Sequence, residues 1–86
     1  EFARRECEVA RVKIQEACAN AKRAEQDAAR MDRLREKGVV PKSKADKAMA
    51  EAVLESARCQ AAKASLEACR DKIKTVQAQI ERTILR

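Results

Sequence analysis

Histidine, tryptophan and tyrosine are absent from this chain, and Phe2, Gly38 and Pro41 are its only phenylalanine, glycine and proline. Each scarcity removes a class of chemistry. Without histidine the chain lacks the usual general acid–base group of neutral pH and the commonest metal ligand. It carries no glycine-rich phosphate loop, and its carboxylates are scattered rather than gathered in a pocket. With one aromatic, an 86-residue chain cannot enclose a conventional globular core, and bases of a nucleic acid would find little to stack on. No apolar run approaches the length of a membrane span, and no secretory signal is present. The residue set therefore points away from an enzyme, from a bound cofactor and from a small-molecule substrate.

What remains is alanine and charge. The apolar fraction is 45%, mostly alanine, and 40% of residues are charged. Such a mixture with sustained periodicity marks a coiled coil or long helix. One elongated unit spanning 1–86 fits; two domains do not. The net charge of +6 makes an acidic partner, a membrane surface or a nucleic acid physically possible, although a solvated helical surface with a modest basic excess is the simpler account and the preferred one. The chain begins Glu1-Phe2 rather than with Met, which suggests a fragment of a larger protein whose first two residues come from a cloning junction.

In the first arm, apolar residues recur in steps of four and three: Ala3, Cys7, Ala10, Ile14, Ala17, Ala21, Ala24, Ala28 and Met31. That is an unbroken heptad seam, and Leu34 carries it one turn further. With Lys37 as C-cap, Gly38 falls at C′, Val39 at C″ and Leu34 at C3, the arrangement of a Schellman ending with an apolar clasp. Arg33, Arg35 and Lys37 suit the negative end of the helix dipole. The next helix starts either with Pro41 at N1 or with Ser43 as N-cap, and Asp46 suits its positive end either way. A second seam then runs Ala45, Ala48, Ala52, Cys59, Ala62, Leu66, Cys69, Ile73, Val76, Ile80 and Thr83, broken by Glu55. The fold expected is all-α: an antiparallel two-helix coiled-coil hairpin, with helices over about 3–36 and 43–82 and a tip over about 37–42.

Pairing Met31 with Ala48, Ala28 with Ala52, Ala21 with Cys59, Ala17 with Ala62, Ile14 with Leu66 and Cys7 with Ile73 keeps the two seams interlocked. Glu55 then faces Ala24, a partner small enough to let the carboxylate reach water. In this register Cys7 lies about one turn from Cys69, and Cys18 one turn from Cys59, which is marginal for cystine geometry. Reduced cysteines acting as small apolar filler are the expectation. Their spacing lacks the close pairs of a zinc site. A further stripe on the second arm, Ala50, Leu54, Ala57, Ala61, Ala64 and Ala68, reads either as helix propensity or as a lateral contact, with Leu54 favouring contact.

The tip concentrates positive charge: Arg30, Arg33, Arg35, Lys37, Lys42, Lys44 and Lys47 outnumber Asp32, Glu36 and Asp46. With Val39 and Val40 it makes a docking knob, where charge steers and apolar groups anchor. Arg30, Leu34 four residues on, and GVVPKSKADKA leading into a heptad helix that ends ERTILR resemble the α-helical hairpin of HlyD-like membrane-fusion proteins. Those are periplasmic adaptors of bacterial efflux pumps and type I secretion systems. Their tips carry Arg, Leu at plus four and Ser at plus eleven. Arg30 and Leu34 match; the third place holds Pro41, with Ser43 two residues later. Asp46, Ala48 and the Thr83-Ile84 ending, where such proteins re-enter a lipoyl-like β-domain, extend the likeness.

The resemblance implies a non-enzymatic hairpin that bridges an inner-membrane transporter, through domains absent here, to a TolC-type outer-membrane channel. It further implies a periplasmic, inner-membrane-anchored, homo-oligomeric protein of a Gram-negative bacterium. The partner-binding tip would comprise Arg30, Leu34, Gly38, Val39, Val40, Pro41 and Ser43. Two other readings compete. A basic hairpin arm binding nucleic acid predicts steeply salt-dependent binding, and the missing aromatics and interspersed acids oppose it. A coiled coil used only for oligomerisation would tolerate changes at its tip.

Overall fold

A computed structural model describes residues 2–84, with side chains described from residue 4 onward. The chain forms two helices, α1 (Phe2–Glu36) and α2 (Lys42–Ile84), folded back on each other as an antiparallel hairpin. The resulting rod measures 73 × 15 × 13 Å. Two helices side by side would be about this thick.

The seam is where the pattern puts it over most of its length. Ala10, Ala21, Ala28, Ala45, Ala52, Cys59 and Cys69 are the buried residues, and Ile14, Ala17, Ala24, Met31, Ala48, Ala62, Leu66 and Ile73 are half-buried beside them. Ala3 lies outside the residues whose side chains are described. Among the described residues everything fully inside is alanine or cysteine, so the helices approach closely but each contact hides little area. At about 25 cal/mol per Å² of apolar surface, such a seam stabilises far less than one of leucines.

Covalent cross-links make up the difference. Cys7 is bonded to Cys69 and Cys18 to Cys59, with Cα–Cα separations of 5.6 and 4.6 Å. This corrects the expectation of reduced cysteines, and the physical reason is register. Cys7 meets Cys69 rather than Ile73, so α2 is displaced about one turn from the pairing expected. A heptad seam presents apolar residues again after a slide of three or four positions, and alanine has no bulk to mark which slide is right. In the chain-entropy picture the inner cystine, closing a loop with a sequence separation of 41, contributes about 4 kcal/mol. The outer one then closes only the short segments 7–18 and 59–69, and contributes about 3 kcal/mol.

The far end of the second seam departs from expectation. Val76, Ile80 and Thr83 are exposed. The helices share a tip but differ in length, 35 residues against 43, so the last turns of α2 run past the start of α1. Glu55 keeps part of its expectation: the displaced register no longer sets it directly opposite Ala24, but it still lies at the edge of the seam. It and Ala24 line one groove, and its carboxylate turns outward to pair with Arg58 at 2.9 Å.

Candidate functional site

The tip is built by the ending of α1. Gly38 donates its amide hydrogen to the carbonyl of Arg35, and Val39 to that of Leu34, both at 2.9 Å. This is the double hydrogen bond of a Schellman motif, on the residues the sequence assigns to it. Gly38 has φ +77°, the left-handed conformation that a side chain disfavours. A Cβ added there would meet no atom within 4 Å, so the requirement for glycine is conformational rather than steric. Arg33 and Arg35 stand in the last turn, and Arg35 is held by Asp32 at 3.0 Å.

The start of α2 differs from both readings of the sequence. Helix begins at Lys42, and the Pro41 carbonyl accepts from the amides of Lys44 (3.2 Å) and Ala45 (3.4 Å). Pro41 thus occupies the N-cap place, where its missing N–H costs nothing and its carbonyl opens the helical ladder. Ser43 lies inside the first turn instead of capping it. Asp46 falls beyond that turn, which holds no acidic residue, so it does not offset the dipole as expected.

Among the candidate residues, Gly38, Val39, Val40 and Pro41 form the connection itself, with Leu34 in the last turns of α1 and Ser43 in the first turn of α2. Val39 is 66% exposed, so the backbone clasp forms while the valine side chain remains presented to solvent. Leu34 and Val40 are half-buried. Arg30 is set back from the vertex, about 9 Å along the helix from its end at the standard rise. It is exposed and pairs with Asp27 at 3.3 Å. The tip residues therefore divide into a vertex and a shoulder.

The shoulder adds Arg23, Asp27 and Glu51, which the sequence reading did not single out, to Arg30, Lys44 and Lys47, which it did. Arg30 shares an open groove between the helices with Arg23, Asp27, Lys44, Lys47 and Glu51. Their signal was present as heptad phase: Arg23 and Arg30 are seven apart, as are Lys44, Glu51 and Arg58. Among the described residues no group of three or more histidine, cysteine or acidic side chains is placed to hold a metal ion, and no helix is long and apolar enough to cross a membrane.

Compared with protein-family models, curated proteins and solved structures, the chain matches none. The architecture and chemistry of the tip are thus what the functional reading rests on.

Proposed function

We propose that this hairpin is a rigid, non-enzymatic coupling rod of a periplasmic adaptor. Its tip docks on a TolC-type outer-membrane channel while other parts of the longer protein engage an inner-membrane transporter. The observation that carries the reading is the composition of one end of a 73 Å rod: a Schellman turn that presents Val39, with Leu34 and Arg30 set back along α1. An exposed apolar vertex ringed by arginines and lysines suits a partner with an acidic rim and an apolar pocket. Two cystines support the periplasm, since disulfides persist in oxidising compartments. The exposed stripe of Ala50, Leu54, Ala57, Ala61, Ala64 and Ala68 leaves a face on which neighbouring copies would pack in a homo-oligomer.

The test is export through an adaptor carrying this hairpin in place of its own. Arg30→Ala and Leu34→Ala should each abolish transport with helix content nearly unchanged by circular dichroism. Full transport in both variants would sink the tip as the docking site.

A further inference from the structure

The two cystines are not in equivalent surroundings. Cys7 lines a groove between the helices together with Arg4, Arg11 and Arg70, with Glu8 the one acid lining it among the described residues. Cys69 lines a second groove with Arg5, Lys13 and Lys72, where Glu6 pairs with Lys72 at 3.9 Å. The grooves flank opposite sides of the seam: Arg4, Glu8 and Arg11 fall on one side of α1's heptad phase, Glu6, Val9 and Lys13 on the other. The Cys7–Cys69 bond therefore crosses the hairpin from one basic groove to another. Cys7 is half-buried and Cys69 is 8% exposed, so access to the bond is from the Cys7 side. Cys18 and Cys59 have the same exposures, so what sets the two cystines apart is the charge lining these grooves. Neither groove includes Cys18 or Cys59.

From this placement we infer that Cys7–Cys69 is a thiol-exchange site selective for small anionic thiols. A thiolate entering beside Arg4, Arg11 and Arg70 attacks the Cys7 sulfur along the S–S axis. The new bond joins the incoming sulfur to Cys7, and the bond to Cys69 breaks with its electron pair leaving on the Cys69 sulfur. That thiolate forms among Arg5, Lys13 and Lys72, whose charge favours it as a leaving group. A second thiolate then attacks the incoming sulfur of the mixed disulfide, releasing Cys7 as thiolate and one oxidised thiol pair. Both cysteines take up protons from water. In balance, two thiols are oxidised to a disulfide and one cystine is reduced to two cysteines. The reaction unlocks the base of the rod and leaves Cys18–Cys59 holding its middle.

The intact oxidised chain is exposed separately to glutathione (anionic), 2-mercaptoethanol (neutral) and cysteamine (cationic), quenched by alkylation, and mapped by peptide mass. With glutathione, Cys7–Cys69 should exchange about tenfold faster than Cys18–Cys59, and the first adduct should lie on Cys7. The rate order should be glutathione, then 2-mercaptoethanol, then cysteamine, once corrected for thiolate fraction. Exchanging Arg4, Arg11 and Arg70 for Gln should abolish the preference for glutathione while leaving the 2-mercaptoethanol rate and the helix signal in place. Exchanging Lys42, Lys44 and Lys47 for Gln, which removes the same charge far from the groove, should leave the preference unchanged. Equal rates at the two cystines, or equal loss of preference in the distant triple variant, would overturn the site.

Discussion

The Val39 amide donates to the Leu34 carbonyl at 2.9 Å across the left-handed Gly38, and this bond decides where α1 stops. Because an added Cβ at residue 38 meets nothing, the consequence of substitution is set by φ alone. Gly38→Ala should destabilise the turn by about 1 kcal/mol, the cost of placing an L-residue in that region. D-alanine at the same position, introduced by chemical synthesis, should match glycine or exceed it. Hydrogen exchange at the amides of Gly38 and Val39 reads the difference; equal loss with both enantiomers would mean the turn does not need positive φ.

The cystines should carry much of the stability. Replacing Cys18 and Cys59 together by Ser, with Cys7–Cys69 intact, should lower unfolding free energy by about 3 kcal/mol, and replacing Cys7 and Cys69, with Cys18–Cys59 intact, by about 3 kcal/mol as well. Chemical denaturation under non-reducing conditions measures both. Unchanged midpoints would show that the alanine seam suffices.

Close approach of the helices is testable by overfilling. Ala52 is 7% exposed, whereas Ala57 faces solvent. Ala52→Leu should cost about 1–3 kcal/mol by forcing the helices apart, and Ala57→Leu should stay within about 0.5 kcal/mol. Matching penalties at the two sites would contradict the seam.

The last turns of α2 have no α1 residues beside them. Ile80 is 52% and Ile84 75% exposed. Amides from residue 77 to 84 should exchange with solvent faster than those around Cys59, because little tertiary contact opposes their local opening. Protection as strong as at Cys59 would show that something else covers this segment.

Much of this architecture was legible beforehand because its signals are local. Gly38, Leu34 and Val39 specify the Schellman turn through offsets of a few residues, and the heptad steps mark which alanines face inward. Register was not legible. It depends on how two nearly featureless alanine seams meet across a turn, and a one-turn slide alters almost none of the contacts a pattern can see. Only the cysteines distinguish the alternatives, and the expected register held Cys7 and Cys69 apart, which hid that information. The start of α2 was ambiguous for a related reason: Pro41 and Ser43 both carry helix-start signals two residues apart. The shoulder groove around Arg30 went unread because it joins charges from two helices, and its membership follows from the pairing rather than from either arm.

The docking claim is tested most directly by photo-crosslinking in cells whose adaptor carries this hairpin. A photoreactive residue at Val39 should capture the outer-membrane channel, while one at Gln60, partway down α2, should not. Capture from Gln60 with none from Val39 would contradict the account.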